Sequence, residues 1–399
     1  MRRTISSPRS SGLDLLRLVA IVLVIGRHLQ VNQSSPSWIR IWNTGGWVGV
    51  DLFFVLSGFL VSSLLFAELN SSRGLDVKRF FVRRAFRILP AFWLCIGLSA
   101  IAQFLMHDPP RLRELVGEAV FLQNYLGGVW PHTWSLAVEA HFYLVLPWLL
   151  LQLHHRDAID KLPLCFGITV AGCFVLRALS FVVFPEFHAR IHFFGTHLRI
   201  DSLMLGVFLA WHQQRRSMLT AAVGDTTNEA PRASIMHLSW QTIAKRIPSS
   251  CLWLVGLLLL TPAFVFSLET NRWLTIVGVL LLAVGSGCWV MAAQRIPEHA
   301  LKLLKPFTAL GTASYSIYLW HFPIQKWLWP AIEATGSLSA PVWQPLIVVS
   351  CSCVVGYLLH HALEAPVLRI RDRLFPSKAI ASTRPAVSPV DHQTMSHAA

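Results

Sequence analysis

Charge is scarce in this sequence. Only 14% of its 399 residues are Asp, Glu, Lys or Arg, against about a quarter in soluble domains. That shortage, together with 54% apolar residues, 16 Trp and 24 Phe, excludes an ordinary soluble globular protein. Cysteine is sparse too: Cys95, Cys165, Cys173, Cys251, Cys288, Cys351 and Cys353 fall mostly inside apolar runs, without metal-like clustering. Neither a disulfide framework nor a metal centre is expected from them. The first apolar run is long and lacks a small-residue cleavage site, so no cleavable signal peptide is expected. No second soluble domain is expected either. Acidic residues number 20 against 34 Lys and Arg. The resulting +14 does not point to nucleic acid, because the basic residues lie in short loops between apolar runs, where they set membrane topology.

What the chain does contain is repeated apolar stretches of roughly 20 residues, the length of a bilayer-crossing helix. Ten candidate spans cover residues 13–31, 46–67, 88–106, 134–153, 163–184, 196–213, 250–268, 273–293, 307–330 and 342–362. The expected fold is an all-α polytopic bundle of about ten transmembrane helices. With the N-terminus in the cytoplasm, 24 Lys and Arg fall on the inner side, and five (Arg40, Arg111, Arg113, Arg190 and Arg272) fall in the outer loops. That asymmetry selects an N-in, C-in arrangement. One transmembrane domain is expected over 1–375, interrupted by a polar cytoplasmic insertion, 214–249, that includes an amphipathic surface helix. The Ser-, Pro- and Thr-rich tail, 376–399, is expected to be disordered and cytoplasmic.

Within the first span, LDLLRLVAIVLVIGRHLQ, Arg17 and His28 are eleven residues apart. Eleven residues are close to three turns, so the two side chains share a face about 16 Å apart along the axis. In lipid such groups are costly unless they face a wet cavity or a partner; the alternative is that Arg17 snorkels and His28 sits in the outer interface. The topology gives the other buried polar residues a depth. Asp51 in GGWVGVDLFFVLSGFL, Glu139 in TWSLAVEAHFY, Arg199 and Asp201 in LRIDSLMLG, and His321 in SYSIYLWHFP all fall on the outer side, at the level of His28. Intramembrane ionisable groups that share a level meet in a functional cavity more often than by accident. Neutral imidazole takes a proton near neutral pH, and a carboxylate on its other nitrogen raises its basicity, which makes His28 and Glu139 a candidate catalytic pair. Glu139 paired with Arg199 as a buried ion pair is the competing reading. His321 fits either a helix-end cap or a substrate contact, and His141 fits packing.

A second cluster lies on the inner side, where KRFFVRRAFRILP carries Lys78, Arg79, Arg83, Arg84 and Arg87. Arg84 and Arg87 share a face if the helix begins early. Guanidinium forks suit phosphates, whereas a positive-inside stop in contact with lipid phosphates explains most such loops. Arg17 opens onto the same side.

These blocks, in this order, resemble the acyltransferase family 3 membrane proteins. The likeness runs over spans 1 to 10 and rests on Arg17, ten residues, then His28; on GGWVGVDLFFVLSGFL, RRAFRILP, TWSLAVEAHFY, LRIDSLMLG and SYSIYLWHFP; and on HHALEAPVLR, whose Glu364 before Pro366 resembles a closing E-x-P element. Leu15 departs from the Gly often found after the Leu-Asp pair. No SGNH-type esterase domain is expected, so the likeness is to the stand-alone members. The resemblance implies transfer of an acyl group, commonly acetyl, from cytoplasmic acyl-CoA to a hydroxyl of a glycan, lipid-linked sugar or small molecule. Under it His28 matches the essential histidine, as general base or acyl carrier. Arg17 matches its partner arginine, Arg84 and Arg87 the basic pair proposed to engage CoA phosphates, and Glu139, Arg199 and Asp201 polar pore positions. Acyl-CoA would be a co-substrate, with no cofactor permanently bound. The expected location is the bacterial cytoplasmic membrane. A transporter or ion-coupled carrier is the competing class, since buried charges also mark ion relays.

Overall fold

The computed structural model describes residues 10–72, 74–225, 247–335 and 343–376. Helices build it, and no strand occurs among the described residues. In chain order they are α1 (Ser11–Arg27), α2 (Ser37–Gly45), α3 (Val48–Leu69), α4 (Val77–Leu105), α5 (Leu112–Ala119), α6 (Gln123–Leu126), α7 (Trp134–His155), α8 (Leu162–Val183), α9 (Ala189–His192), α10 (Thr196–Asp225), α11 (Ser249–Leu260), α12 (Pro262–Val265), α13 (Val279–Ala293), α14 (Lys305–Thr312), α15 (Ser314–Pro323), α16 (Trp329–Glu333), α17 (Trp343–Leu359) and α18 (Ala365–Leu374). Helix occupies each of the ten apolar segments. Six helical stretches are long and apolar enough to cross a membrane by length and composition: Val48–Leu69, Val77–Leu105, Pro131–His155, Ile159–Val183, Leu274–Ala293 and Trp343–Leu374. Their outward faces expose Leu, Val, Ile and Trp, among them Leu105, Trp148, Val182 and Leu358. Such a surface suits lipid, where each helix satisfies its own backbone hydrogen bonds. The protein is an all-α, multi-pass integral membrane helix bundle.

Small residues let the central helices approach closely. A Cβ on Gly58 of α3 would strike the Leu203 carbonyl of α10, and one on Gly206 would strike the Val55 carbonyl, which is the packing mode of helices that lack a hydrophobic drive between them. α1 lies against α3, α14 and α15, so its Arg17–His28 face is enclosed by protein.

Two local features set the site. α4 begins at Val77, earlier than the expected 88, because the Asp76 side chain accepts from the Arg79 amide at 3.0 Å and caps the helix. Arg84 and Arg87 are therefore helical and three residues apart. A π-turn, His360–Glu364, joins α17 to α18; such bulges cluster at functional sites. The sequence ASIMHLSWQTIAKRI, expected as a surface helix within 214–249, lies almost wholly outside the described residues, as does the tail beyond 376.

Candidate active site

α1 presents Arg17 to one chamber and ends at His28, which caps its C-terminus. At the Arg17 level, a cavity of about 140 Å³ is lined by Arg17, Arg84, Arg87, Glu139, Tyr143, Tyr315, Ser135 and Tyr318, with Val50, Phe53 and Leu136 among its apolar walls. The arginines are held differently. Arg17 Nη1 lies 2.6 Å from Asp14 Oδ1. Arg87 Nη1 lies 2.6 Å from Glu364 Oε1, while Ser316 Oγ donates to Glu364 Oε2 at 3.0 Å and His360 Nδ1 lies 2.8 Å from it. The π-turn thus supplies the carboxylate that anchors Arg87. Arg84 stands over the rings of Tyr143 and Phe80, 5.2 and 5.6 Å from their centres, and has no ion pair or hydrogen bond among the described residues. Its charge faces a cavity already rich in cations, which is the electrostatics of an anion site.

Glu139 belongs to this chamber. Tyr143 Oη donates to its Oε2 at 2.9 Å, and Ser57 hydrogen-bonds Tyr143 in turn. The charges of Arg84 and Arg17 reach it. The expectation that Glu139 stands at the depth of His28 is corrected here. His132, seven residues earlier, is the residue of this segment that reaches His28. Seven residues of helix carry Glu139 about 10 Å deeper toward Arg17.

At the far end of α1 imidazoles cluster. The ring centre of His28 is 5.3 Å from that of His321 and 6.3 Å from that of His132, and the latter two are 4.7 Å apart. Phe322 closes one side, stacked on His132 at 5.4 Å. His321 and His132 are buried, and no hydrogen bond reaches the His28 ring among the described residues. Among those residues, no group of three or more His, Cys, Asp or Glu side chains has metal-binding geometry. Between the arginine cavity and this cluster stands Tyr318. Its hydroxyl donates to the His132 carbonyl at 2.6 Å, so Ser135 Oγ, also 2.6 Å away, donates to it. Its ring lies 5.3 and 5.6 Å from those of His132 and His321. One tyrosine and one serine thus separate the arginine cavity from the histidines.

Asp51, Arg199 and Asp201 do not line the arginine cavity. Asp51 pairs with Arg199 at 2.7 Å, and Asp201 pairs with Arg177 at 2.8 Å, all four side chains being essentially unexposed. This corrects both the pore assignment and the alternative pairing of Glu139 with Arg199, because Asp51 on α3 is the carboxylate that α10 packs against. His141 bonds Thr196 Oγ1 at 2.7 Å through Nδ1, in keeping with packing. Four participants went unrecognised in the sequence: His132, Tyr318, Ser135 and Arg177. Arg177 was detectable, since a guanidinium in the middle of span 163–184 demands a partner. His132 had the weaker signal of an ionisable residue at the mouth of a span. The two hydroxyls had none.

Outside the spanning helices, Glu118 of α5 is buried beside the loop that leads to His132. Its Oε1 accepts from Thr133 Oγ1 at 2.7 Å. Burial pushes its carboxyl up to about 7, with the Thr133 bond acting against the rise.

A family profile described as an acyltransferase domain matches residues 10–361. The peptidoglycan O-acetyltransferase OatA of Listeria monocytogenes is 28% identical over 393 residues, which cover 92% of this chain and 57% of that protein. The O-acetyltransferase OatA of Staphylococcus aureus is 25% identical over 386 residues, 90% of this chain and 58% of its own length. This chain therefore spans a little over half the length of these relatives. No solved structure matches it. With most of its residues covered by one profile, the chain belongs to the acyltransferase 3 family.

Proposed function

We propose that this protein is a membrane O-acyltransferase that moves an acyl group, acetyl by analogy with its relatives, from acyl-CoA to a hydroxyl of a glycan acceptor. The observation that carries the reading is the placement of an arginine-lined cavity and a histidine cluster on either side of Tyr318. The arginine side faces the cytoplasm in the N-in arrangement and takes the phosphates of the donor through Arg84, Arg87 and Arg17. The extended thioester arm of the donor then points toward Tyr318. Peptidoglycan, named for the Listeria relative, is a hydroxyl-bearing glycan of the class proposed here, and the membrane is that of a bacterial cell.

His28 acts as general base. The acceptor hydroxyl gives its proton to His28 as its oxygen attacks the thioester carbonyl. The new ester C–O bond forms, the C–S bond breaks, and the leaving thiolate recovers a proton from the imidazolium. The test is acyl-CoA consumption by the purified protein with a glycan acceptor, comparing wild type with His28→Ala. Loss of a general base costs roughly 10²–10⁴-fold in rate, with folding and donor binding retained. Wild-type turnover in His28→Ala would overturn the reading.

A further inference from the structure

His321 has a fixed tautomer. Its Nδ1 lies 2.6 Å from the Tyr318 carbonyl oxygen. A carbonyl oxygen only accepts, so the ring proton sits on Nδ1 and Nε2 keeps its lone pair. The helix is loosened at this point: Pro323 has no N–H for the Leu319 carbonyl, and Cys95 Sγ reaches that carbonyl at 3.5 Å instead. The His321 side chain is wholly buried, yet Nε2 has no hydrogen-bond partner among the described residues. A buried acceptor left open is costly, and in a native protein it calls for an explanation.

His28 has the complementary need. Its ring neighbours are His132, His321 and Phe322, so among the described residues no carboxylate orients it. A base of this kind works when one nitrogen is held as a donor and the other is left free to take a proton. Of the two neighbouring imidazoles, His321 is the nearer and has its lone pair already committed to Nε2.

We infer that His321 is the positioning residue of His28. With its ring turned from the orientation seen here, His28, 5.3 Å away between ring centres, gives an N–H to this open Nε2, which leaves the other nitrogen of His28 as the acceptor of the hydroxyl proton. The tautomer lock runs from the Tyr318 carbonyl through His321 to His28, so the residue that walls off the donor cavity also sets the state of the base. When the hydroxyl proton arrives, His28 carries an N–H on both nitrogens and the bond to His321 is kept. His321 itself gains and loses no proton. This rests on the reading of His28 as general base.

The test uses two substitutions of similar size. His321→Asn keeps an amide donor toward the Tyr318 carbonyl but has nothing at the Nε2 position. His321→Gln places an amide oxygen there. The His321→Asn enzyme should lose roughly 10–100-fold in kcat, the range for groups that orient a functional histidine, at unchanged KM for acyl-CoA and unchanged melting temperature. His321→Gln should recover most of the loss. Combined with His28→Ala, His321→Asn should add nothing, because the two act as a unit. Nitrogen NMR of labelled histidines, with His28 assigned by its own substitution, gives a readout that needs no turnover. The wild type should hold His28 in one neutral tautomer, and His321→Asn should release it to a mixture. Unchanged His28 resonances in His321→Asn would overturn the inference and pass the acceptor role to a bond from His132. So would a His321→Gln enzyme no better than His321→Asn at equal stability. Absence of acyl-CoA cleavage by the wild type would overturn the proposed function alone, since the NMR result is read independently.

Discussion

Arg199 and Asp51 meet at 2.7 Å with both side chains fully buried, and the face of Phe193 covers the guanidinium 4.1 Å from its centre. Ser202 Oγ donates to the same Asp51 oxygen at 3.1 Å. With the Arg177–Asp201 pair, whose carboxylate lies two residues along α10 from Arg199, these contacts tie α3, α8 and α10 together. Taking one partner from a buried pair leaves a lone charge and costs about 3–5 kcal/mol, whereas removing both costs far less. Asp51→Ala is expected to lower the melting temperature of the detergent-solubilised protein strongly, and Asp51→Ala with Arg199→Leu to recover much of it. A cycle without coupling between the two positions would contradict the pairing.

Arg84 and Arg87 should part company. Arg84 has no ion-pair partner among the described residues, so Arg84→Ala should weaken acyl-CoA binding with little change in stability. Arg87 is anchored by Glu364, so Arg87→Ala should weaken binding and also destabilise, by leaving the buried Glu364 Oε1 without its cation while Ser316 and His360 hold only Oε2. Both losses should shrink as salt rises, because part of the attraction is screened. Titration of acyl-CoA at two ionic strengths, with melting curves alongside, separates them; equal stability losses would contradict the distinction.

Glu139→Gln tests where that carboxylate acts. It sits among the arginines and not beside His28, so the position of the pH–rate limb should stay where it is in wild type. Removing a negative charge from the cavity proposed to take the anionic donor should lower the KM for acyl-CoA several-fold; a charge a few ångströms away contributes about 1 kcal/mol or more in partly shielded surroundings. A shifted limb would return Glu139 to the histidine.

Glu118 gives the outer loop a pH dependence. Its carboxyl is raised to about 7 in the folded protein, so the fold holds the proton more tightly than the unfolded chain does. Its contribution is fully present below the ordinary carboxylate range and is lost as pH rises toward about 7. Protection of the amides of residues 112–133 against hydrogen exchange, after correction for the intrinsic pH dependence of exchange, should therefore fall between pH 5 and pH 7.5 in wild type, by about two decades at most given the size of the shift. Glu118→Gln should flatten the profile. An equally steep profile in Glu118→Gln would assign the dependence to another group.

Much of the architecture is written locally. Apolar runs of bilayer length, bounded by loops whose Lys and Arg are lopsided, determine that the chain is helical and lies in a membrane, because lipid admits few other backbones. The spacing of Arg17 and His28 likewise determines that one helix carries both groups on one face, since helical geometry has a fixed period. Family membership followed from short blocks legible in the same way. What the sequence could not decide was which charges meet. Asp51, Glu139, Arg199 and Asp201 look alike as isolated polar residues in apolar runs, and assigning them a common depth suggested a common pore. Only the packing of α3 on α10, through Gly58 and Gly206, sends Asp51 to Arg199. Only the three-dimensional course of α7 and the turn before it, Pro131–Thr133, brings His132 to His28 while carrying Glu139 down to the arginines. Pairing depends on a few ångströms of helix rotation and translation, which arise from contacts between segments distant in sequence, and no local period encodes them.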